Sequence, residues 1–249
     1  MSQFYKLLDS SLVHNGFTYK EGLNVDTVPF NPSGACQPGG LYFTTFEHVP
    51  RWKGINWTLI ADVTLPPGAN VYPEPCGTKW KADRLVLSNI RPFKSFLAAL
   101  TEAQLLPWLH TYPLQIFPEL NNPSLDMCTA ALAANSYVMK FIDIQTEELC
   151  LLALEEDAQH AFLYIRNPTP RVCLAAVTKC GWVISQMNKE QRTPDVCLAA
   201  VKKHAWVLPH LTAEECTEEI CMAANAHLDR TLASCIANQE LRQKFLNVL

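Results

Sequence analysis

Glycine all but vanishes from this chain after residue 92. Of nine glycines, eight precede that point and only Gly181 follows it. Charge is sparse as well: Asp, Glu, Lys and Arg make up 18% of the residues, and the net charge is −4. No apolar run approaches the roughly 20 residues that a membrane-spanning helix needs, so no span is expected. The opening residues, Met1-Ser2-Gln3-Phe4-Tyr5-Lys6, lack the basic and apolar regions of a signal peptide. No Cys-x-x-Cys pair occurs, which removes the commonest zinc framework. The missing span and signal peptide point to a cytosolic, nuclear or virion-interior protein.

What the chain does have is ten cysteines. Five of them, Cys128, Cys150, Cys173, Cys197 and Cys221, recur at spacings of 22, 23, 24 and 24 residues. Each is preceded by an aliphatic residue or methionine and followed three residues later by alanine: Ala131, Ala153, Ala176, Ala200 and Ala224. Free cysteine packs as a small hydrophobe, so these thiols are expected in the core rather than in disulfides.

The same register carries helix-start signals. Ser124, Thr146, Thr169, Thr193 and Thr217 stand four residues before the cysteines. A Ser or Thr oxygen there accepts from a backbone N–H that has no partner inside the helix. Pro170 and Pro194 fall at the first helical position, where the fixed φ suits the turn and the missing donor costs nothing. Glu147, Glu148, Glu218 and Glu219 meet the positive end of the helix dipole. Nine residues after their cysteines come Tyr137, Trp182 and Trp206, each followed by aliphatics that predict a second, shorter helix. Trp182 and Trp206 are expected in the core. The unit at Thr146 is out of step, with Phe162, Tyr164 and Ile165 in that role. The unit at Thr217 has Arg230 in place of the aromatic, as suits a terminal cap.

A unit this short cannot bury its apolar face alone, but stacked copies can. Residues 93–249 are therefore expected to form an all-α stack of helix-turn-helix repeats, α-solenoid-like, with an atypical unit over 93–120 and a closing helix over 239–249. Residues 1–92 read as a small mixed or mostly β domain. Strands are expected at 4–8, 41–44, 57–65, 71–72 and 84–87, a turn at Asn15-Gly16, and a helix between Thr45 and Lys53. The fold class is α+β.

The stretch Val196-Cys-Leu-Ala-Ala-Val-Lys-Lys-His-Ala-Trp-Val-Leu208 resembles a helical repeat of unknown function from large DNA viruses of amoebae and protists. Asn15-Gly-Phe-Thr-Tyr-Lys-Glu-Gly22, Pro29-Phe-Asn-Pro32 and Pro38-Gly-Gly-Leu-Tyr-Phe-Thr44 resemble a domain of unknown function in proteins of the same viruses. There it often precedes ankyrin or similar repeats. Ile60-Ala-Asp-Val-Thr-Leu-Pro66 and Lys81-Ala-Asp-Arg84 fit that domain too. The resemblance covers most of the chain and implies a viral protein of the marseillevirus or mimivirus kind, placed in the host cytoplasm or nucleus or in the virion. It carries over no catalytic residue.

Several residues invite chemistry. His14, Tyr42 and Glu74 occur in the order that an ADP-ribosyltransferase-like enzyme would use. There the His would hold the ribose of NAD, the aromatic would stack on nicotinamide and the acid would orient the nucleophile. Against this, Asn15-Gly16 is a turn and Gly40-Leu-Tyr-Phe43 a core strand. Cys36, Cys76, His14 and His48 would have to converge to hold zinc, and Cys36 with His48 to make a nucleophile pair. Cys216 lies five residues before Cys221, which the repeat pattern already claims. Lys79, Lys81, Arg84 and Arg91 are expected on a solvated strand face rather than in a nucleic-acid site. The leading expectation is a non-enzymatic protein-interaction module, with no cofactor, metal or nucleic acid, a host or viral protein partner, and self-association plausible.

Overall fold

The computed structural model describes residues 3–33, 37–225 and 239–247. Cys36 and Arg230 lie outside them. The fold class is α+β: an antiparallel sheet region over residues 4–92 leads into a region of several helices. The chain divides into two compact units, Met1–Met127 and Cys128–Leu249.

Unit one is built on strands β1 (Phe4–Leu8), β4 (Gly22–Val25), β5 (Leu41–Thr45), β6 (Leu59–Thr64), β7 (Val71–Pro73), β8 (Trp80–Ala82) and β9 (Arg84–Pro92). They form one sheet in the order β4-β9-β6-β1-β5-β8-β7. Its neighbours pair antiparallel throughout. A separate hairpin joins β2 (Val13–His14) to β3 (Phe17–Thr18). Asn15 and Gly16 take φ of +52° and +77°, the left-handed pair that a two-residue hairpin turn demands. Strands β4 and β8 were not legible in sequence, and β9 runs on to Pro92.

One sheet face carries the core of Leu8, Leu41, Phe43, Ala61, Val63, Ala82, Leu85 and Leu87, closed by Tyr19. Helix α1 (Val49–Trp52) lies between β5 and β6, and helices α2 (Phe93–Ala98), α3 (Glu102–Thr111) and α4 (Pro113–Ile116) follow the strands. Phe96 of α2 packs against Tyr5 of β1, ring centroids 5.2 Å apart. Phe93, Leu97, Leu109 and Ile116 are fully buried with it. Each such side chain contributes roughly 1.5–3 kcal/mol by leaving water. This packing is why the first unit runs past the change of composition at residue 92.

Unit two repeats one local plan. Helices α5 (Leu125–Ala134), α7 (Pro170–Lys179) and α8 (Pro194–Lys203) are each followed by a 3-10 turn, at Ser136–Phe141, Gly181–Gln186 and Ala205–His210. The expected second, shorter helices are thus 3-10 helices of six residues each, and their Val-Met, Val-Ile and Val-Leu pairs are fully buried. Helix α6 (Glu147–Phe162) breaks at Asp157, which has φ −152° and ψ 86°. Asp157 then caps the next turn by accepting from the His160 N–H at 3.2 Å. That break explains why this unit looked out of step. The caps are as expected: Val172 N–H donates to Thr169 Oγ1 at 3.3 Å and Val196 N–H to Thr193 Oγ1 at 3.4 Å. Helix α9 (Glu218–Asn225) and a further helix, Gln239–Asn247, complete the described part.

The five repeat cysteines are buried. Burial raises the thiols of Cys128, Cys150 and Cys173, and pushes Cys197 up to about 11. Two expectations need correction. Trp182 and Trp206 are 38% and 42% exposed, and Tyr137 is 40% exposed. Tyr137 lies over His160 and meets Tyr164, and Trp182 lies over His204. Lys81, expected in water, is fully buried. Its Nζ donates to the Ser33 carbonyl, and it lies over the rings of Tyr42 and Tyr72.

Candidate functional site

Strands β1 and β5 pair only at Phe4 with Thr45 and Tyr5 with Thr44. Beyond that point β1 continues on β6 as far as Leu8, and β5 continues on β8 as far as Leu41. A pocket of about 240 Å³ opens where the two strands cease to pair. Lys6 and Leu7 contribute from β1, and Tyr42, Phe43 and Thr44 from β5. The hairpin adds His14 and Asn15, while Trp52, Trp57 and Lys79 complete the wall.

Aromatic rings fix the cations here. Lys79 Nζ stands 4.8 Å from the Tyr42 ring centroid and 4.7 Å from that of Trp52. Trp52 is held by its indole N–H, which donates to the Thr78 carbonyl at 3.1 Å. Thr44 Oγ1 donates to the same carbonyl at 2.7 Å. The Tyr42 hydroxyl donates to the Gln37 carbonyl at 2.8 Å. Trp57 meets the His14 ring edge-on, centroids 4.7 Å apart.

Lys6 is 3% exposed. Its Nζ lies 3.2 Å from His14 Nδ1 and 4.6 Å from the Tyr19 ring centroid. Among the described residues it pairs with no carboxylate. Burial, then the positive charge of Lys79, lowers its pKa to about 7. Burial, then Lys6, lowers His14 to about 4, with Asp9 opposing and Lys79 adding to the fall. His14 is therefore neutral at pH 7, and where Lys6 carries its proton His14 Nδ1 accepts from it.

The structure brings His14 and Tyr42 into one pocket wall. Glu74 is placed differently. It is 2% exposed, does not line the pocket, and lies 3.4 Å from Lys79 Nζ. Sequence reasoning missed Lys6, Trp52 and Trp57. One signal was available: Lys6 shares a strand face with Phe4 and Leu8, a position where a charge needs a reason.

The remaining candidates do not converge. His48 Nδ1 lies 2.9 Å from Thr45 Oγ1, and the Cys76 thiol 3.3 Å from Thr78 Oγ1. Among the described residues no group of three His, Cys, Asp or Glu side chains is arranged to hold a metal. Cys216 and Cys221 approach to 3.2 Å between sulfurs, both buried. Arg84 pairs with Asp83 and Arg91 with Asp62, each at 2.9 Å, so both guanidiniums are matched locally. No described helix is long and apolar enough to cross a membrane.

No family model matches the chain, and no solved structure matches it. Among curated proteins it is similar to two named as ankyrin repeat proteins from Acanthamoeba polyphaga mimivirus. One is 32% identical over 96 residues, covering 36% of this chain and 47% of the relative. The other is 35% identical over 85 residues, covering 30% of this chain and 27% of the relative. The chain thus spans less than half the length of these relatives. The similarity supports a giant-virus protein with repeats. The repeat spacing here, 22 to 24 residues, is shorter than the roughly 33 of an ankyrin unit.

Proposed function

We propose that this protein is a non-enzymatic interaction module that docks a host or viral protein on its helical part, residues 93–249. The likeness to proteins named for ankyrin repeats supports a role in protein–protein interaction. The observation that carries the reading is the aromatic row. Tyr137, Trp182 and Trp206 recur at one repeat position and are each about two-fifths exposed. Large aromatics held half in water supply contact area at low entropic cost, and they dominate interface energetics.

The partner's chemistry follows from what flanks the row. Lys140 follows Tyr137 in its 3-10 turn, and Lys202 and Lys203 close α8 just before Trp206. All three lysines are exposed. A segment combining acidic and apolar residues fits this surface, through charge pairing at the rim and ring contacts at the centre.

The test compares the full chain with its Trp182→Ala/Trp206→Ala double variant as baits in infected-cell extract. Proteins retained by the parent and lost by the variant, and released by a synthetic peptide alternating Glu and Leu, support the reading. The same proteins on both baits overturn it. Sedimentation of the two chains separates a second copy of this protein from a foreign partner. The ADP-ribosyltransferase-like alternative requires NAD to bind beside His14 and Tyr42 with a carboxylate facing it. Glu74, buried against Lys79, does not supply that carboxylate.

A further inference from the structure

We propose that the pocket between β1 and β5 binds a small planar aromatic molecule bearing one anionic group, the anion on Lys6 and the ring between Trp57 and Tyr42. This concerns unit one and stands apart from docking on the helical part.

The first argument is charge. Lys6 is a buried amine at the pocket wall, with its Nζ beside the His14 imidazole and over the Tyr19 ring. Burying an ammonium with no carboxylate costs several kcal/mol in real proteins. Lys79 differs, because Glu74 stands beside it. No Asp or Glu lines the pocket, so nothing in its wall repels an anion. An anion at Lys6 would replace the missing partner and hold the proton on the amine.

The second argument is shape. Five aromatic rings, those of Tyr5, Tyr42, Phe43, Trp52 and Trp57, belong to the lining. Trp57 is wedged by the chain itself: a Cβ on Gly54 would meet Trp57 Cδ1 at 2.6 Å. Such walls favour a flat ring over an alkyl chain. The volume, about 240 Å³, falls below the roughly 300–1,000 Å³ of drug-sized ligand sites. That limits the ligand to one ring system and one charged group. The neighbouring pocket, about 310 Å³, shares His14, Asn15 and Tyr42 and leaves room for a linker such as a sugar.

Two sources of this chemistry, an aromatic carboxylate and a nucleoside phosphate, are separated by the probes. The full chain is titrated by calorimetry with nicotinate, nicotinamide, adenosine 5′-monophosphate and adenosine. At least one anionic probe binds, with its uncharged counterpart weaker by about tenfold or more, the worth of one charged hydrogen bond. Nicotinate alone identifies a carboxylate site, and the monophosphate alone a phosphate site. Lys6→Met abolishes the preference for the anion. Trp57→Leu weakens the anionic probe and its neutral counterpart alike, and serves if Lys6→Met does not fold. Failure of both anions to bind at about 10 mM overturns the proposal. So does equal affinity for charged and uncharged members of each pair, or unchanged affinity in both variants.

Discussion

His204 accepts a hydrogen bond on Nδ1 from the backbone N–H of Gly181, 3.0 Å away. Gly181 opens the turn of one helix pair, and His204 ends the helix of the next. The imidazole must therefore carry its proton on Nε2. The ring also lies beneath Trp182, centroids 6.3 Å apart. One side chain thus ties two successive units through backbone and ring together.

Gly181 is the glycine that survives in the second part of the chain, and the reason is space. A Cβ there would meet the Ala200 carbonyl oxygen at 2.5 Å and His204 Nδ1 at 3.1 Å. Gly181→Ala is expected to destabilise the helical unit by about 1–3 kcal/mol, the usual cost of overpacking. Urea unfolding followed by far-UV circular dichroism checks this. An unchanged midpoint would show that the close approach relaxes freely.

The helix caps give a second expectation. Thr193→Ala removes the oxygen that accepts from Val196 N–H and should cost about 1 kcal/mol. Thr193→Ser should restore most of it. The difference between the two denaturation midpoints is the measurement.

Stability should rise with pH in two windows. Lys6 has a pKa near 7 in the fold against 10.5 ordinarily, and His14 near 4 against 6.5. Between each pair of values the unfolded chain holds a proton that the folded chain lacks, so raising pH favours folding. The Lys6 window alone amounts to a few kcal/mol in order of magnitude. Denaturation midpoints measured from about pH 5 to pH 10 should climb through both windows. Lys6→Met should flatten the upper one and narrow the lower, because Lys6 is part of what lowers His14.

Thiol chemistry should divide along burial. Cys76 is exposed, whereas Cys173 and Cys197 are 1% and 0% exposed with raised pKa values. Iodoacetamide under native conditions should label Cys76 first and the repeat cysteines only after denaturant is added, as read by peptide mass spectrometry. Early labelling of Cys173 would mean that the stack opens readily.

The repeat was legible because each unit writes its own start, core and close approach in four kinds of residue, and Thr169, Cys173 and Ala176 behave as their spacing implies. The exposure of Trp182 was not legible. Periodicity says that a residue recurs, but not which side of its ring the next unit covers. The sheet was half visible. Strand β8 is three residues long and centred on Lys81, so it shows no alternation to read. The pocket was largely hidden for another reason. It forms where two strands stop pairing, and the end of a pairing is a long-range event that no local pattern records.

The ties between helix pairs join residues about one period apart: Glu147 to Arg171, Glu155 to Lys179, Gly181 to His204 and Lys189 to Glu214. The unit opened by Thr169 reaches both ways: Arg171 and Lys179 to the unit before it, Gly181 and Lys189 to the unit after it. The residues differ at every joint, since Gly181 is matched one unit on by Ala205 and Glu155 by Thr178. The buried register is thus interchangeable between copies while the joints are not, which fixes the order in which the units can stand.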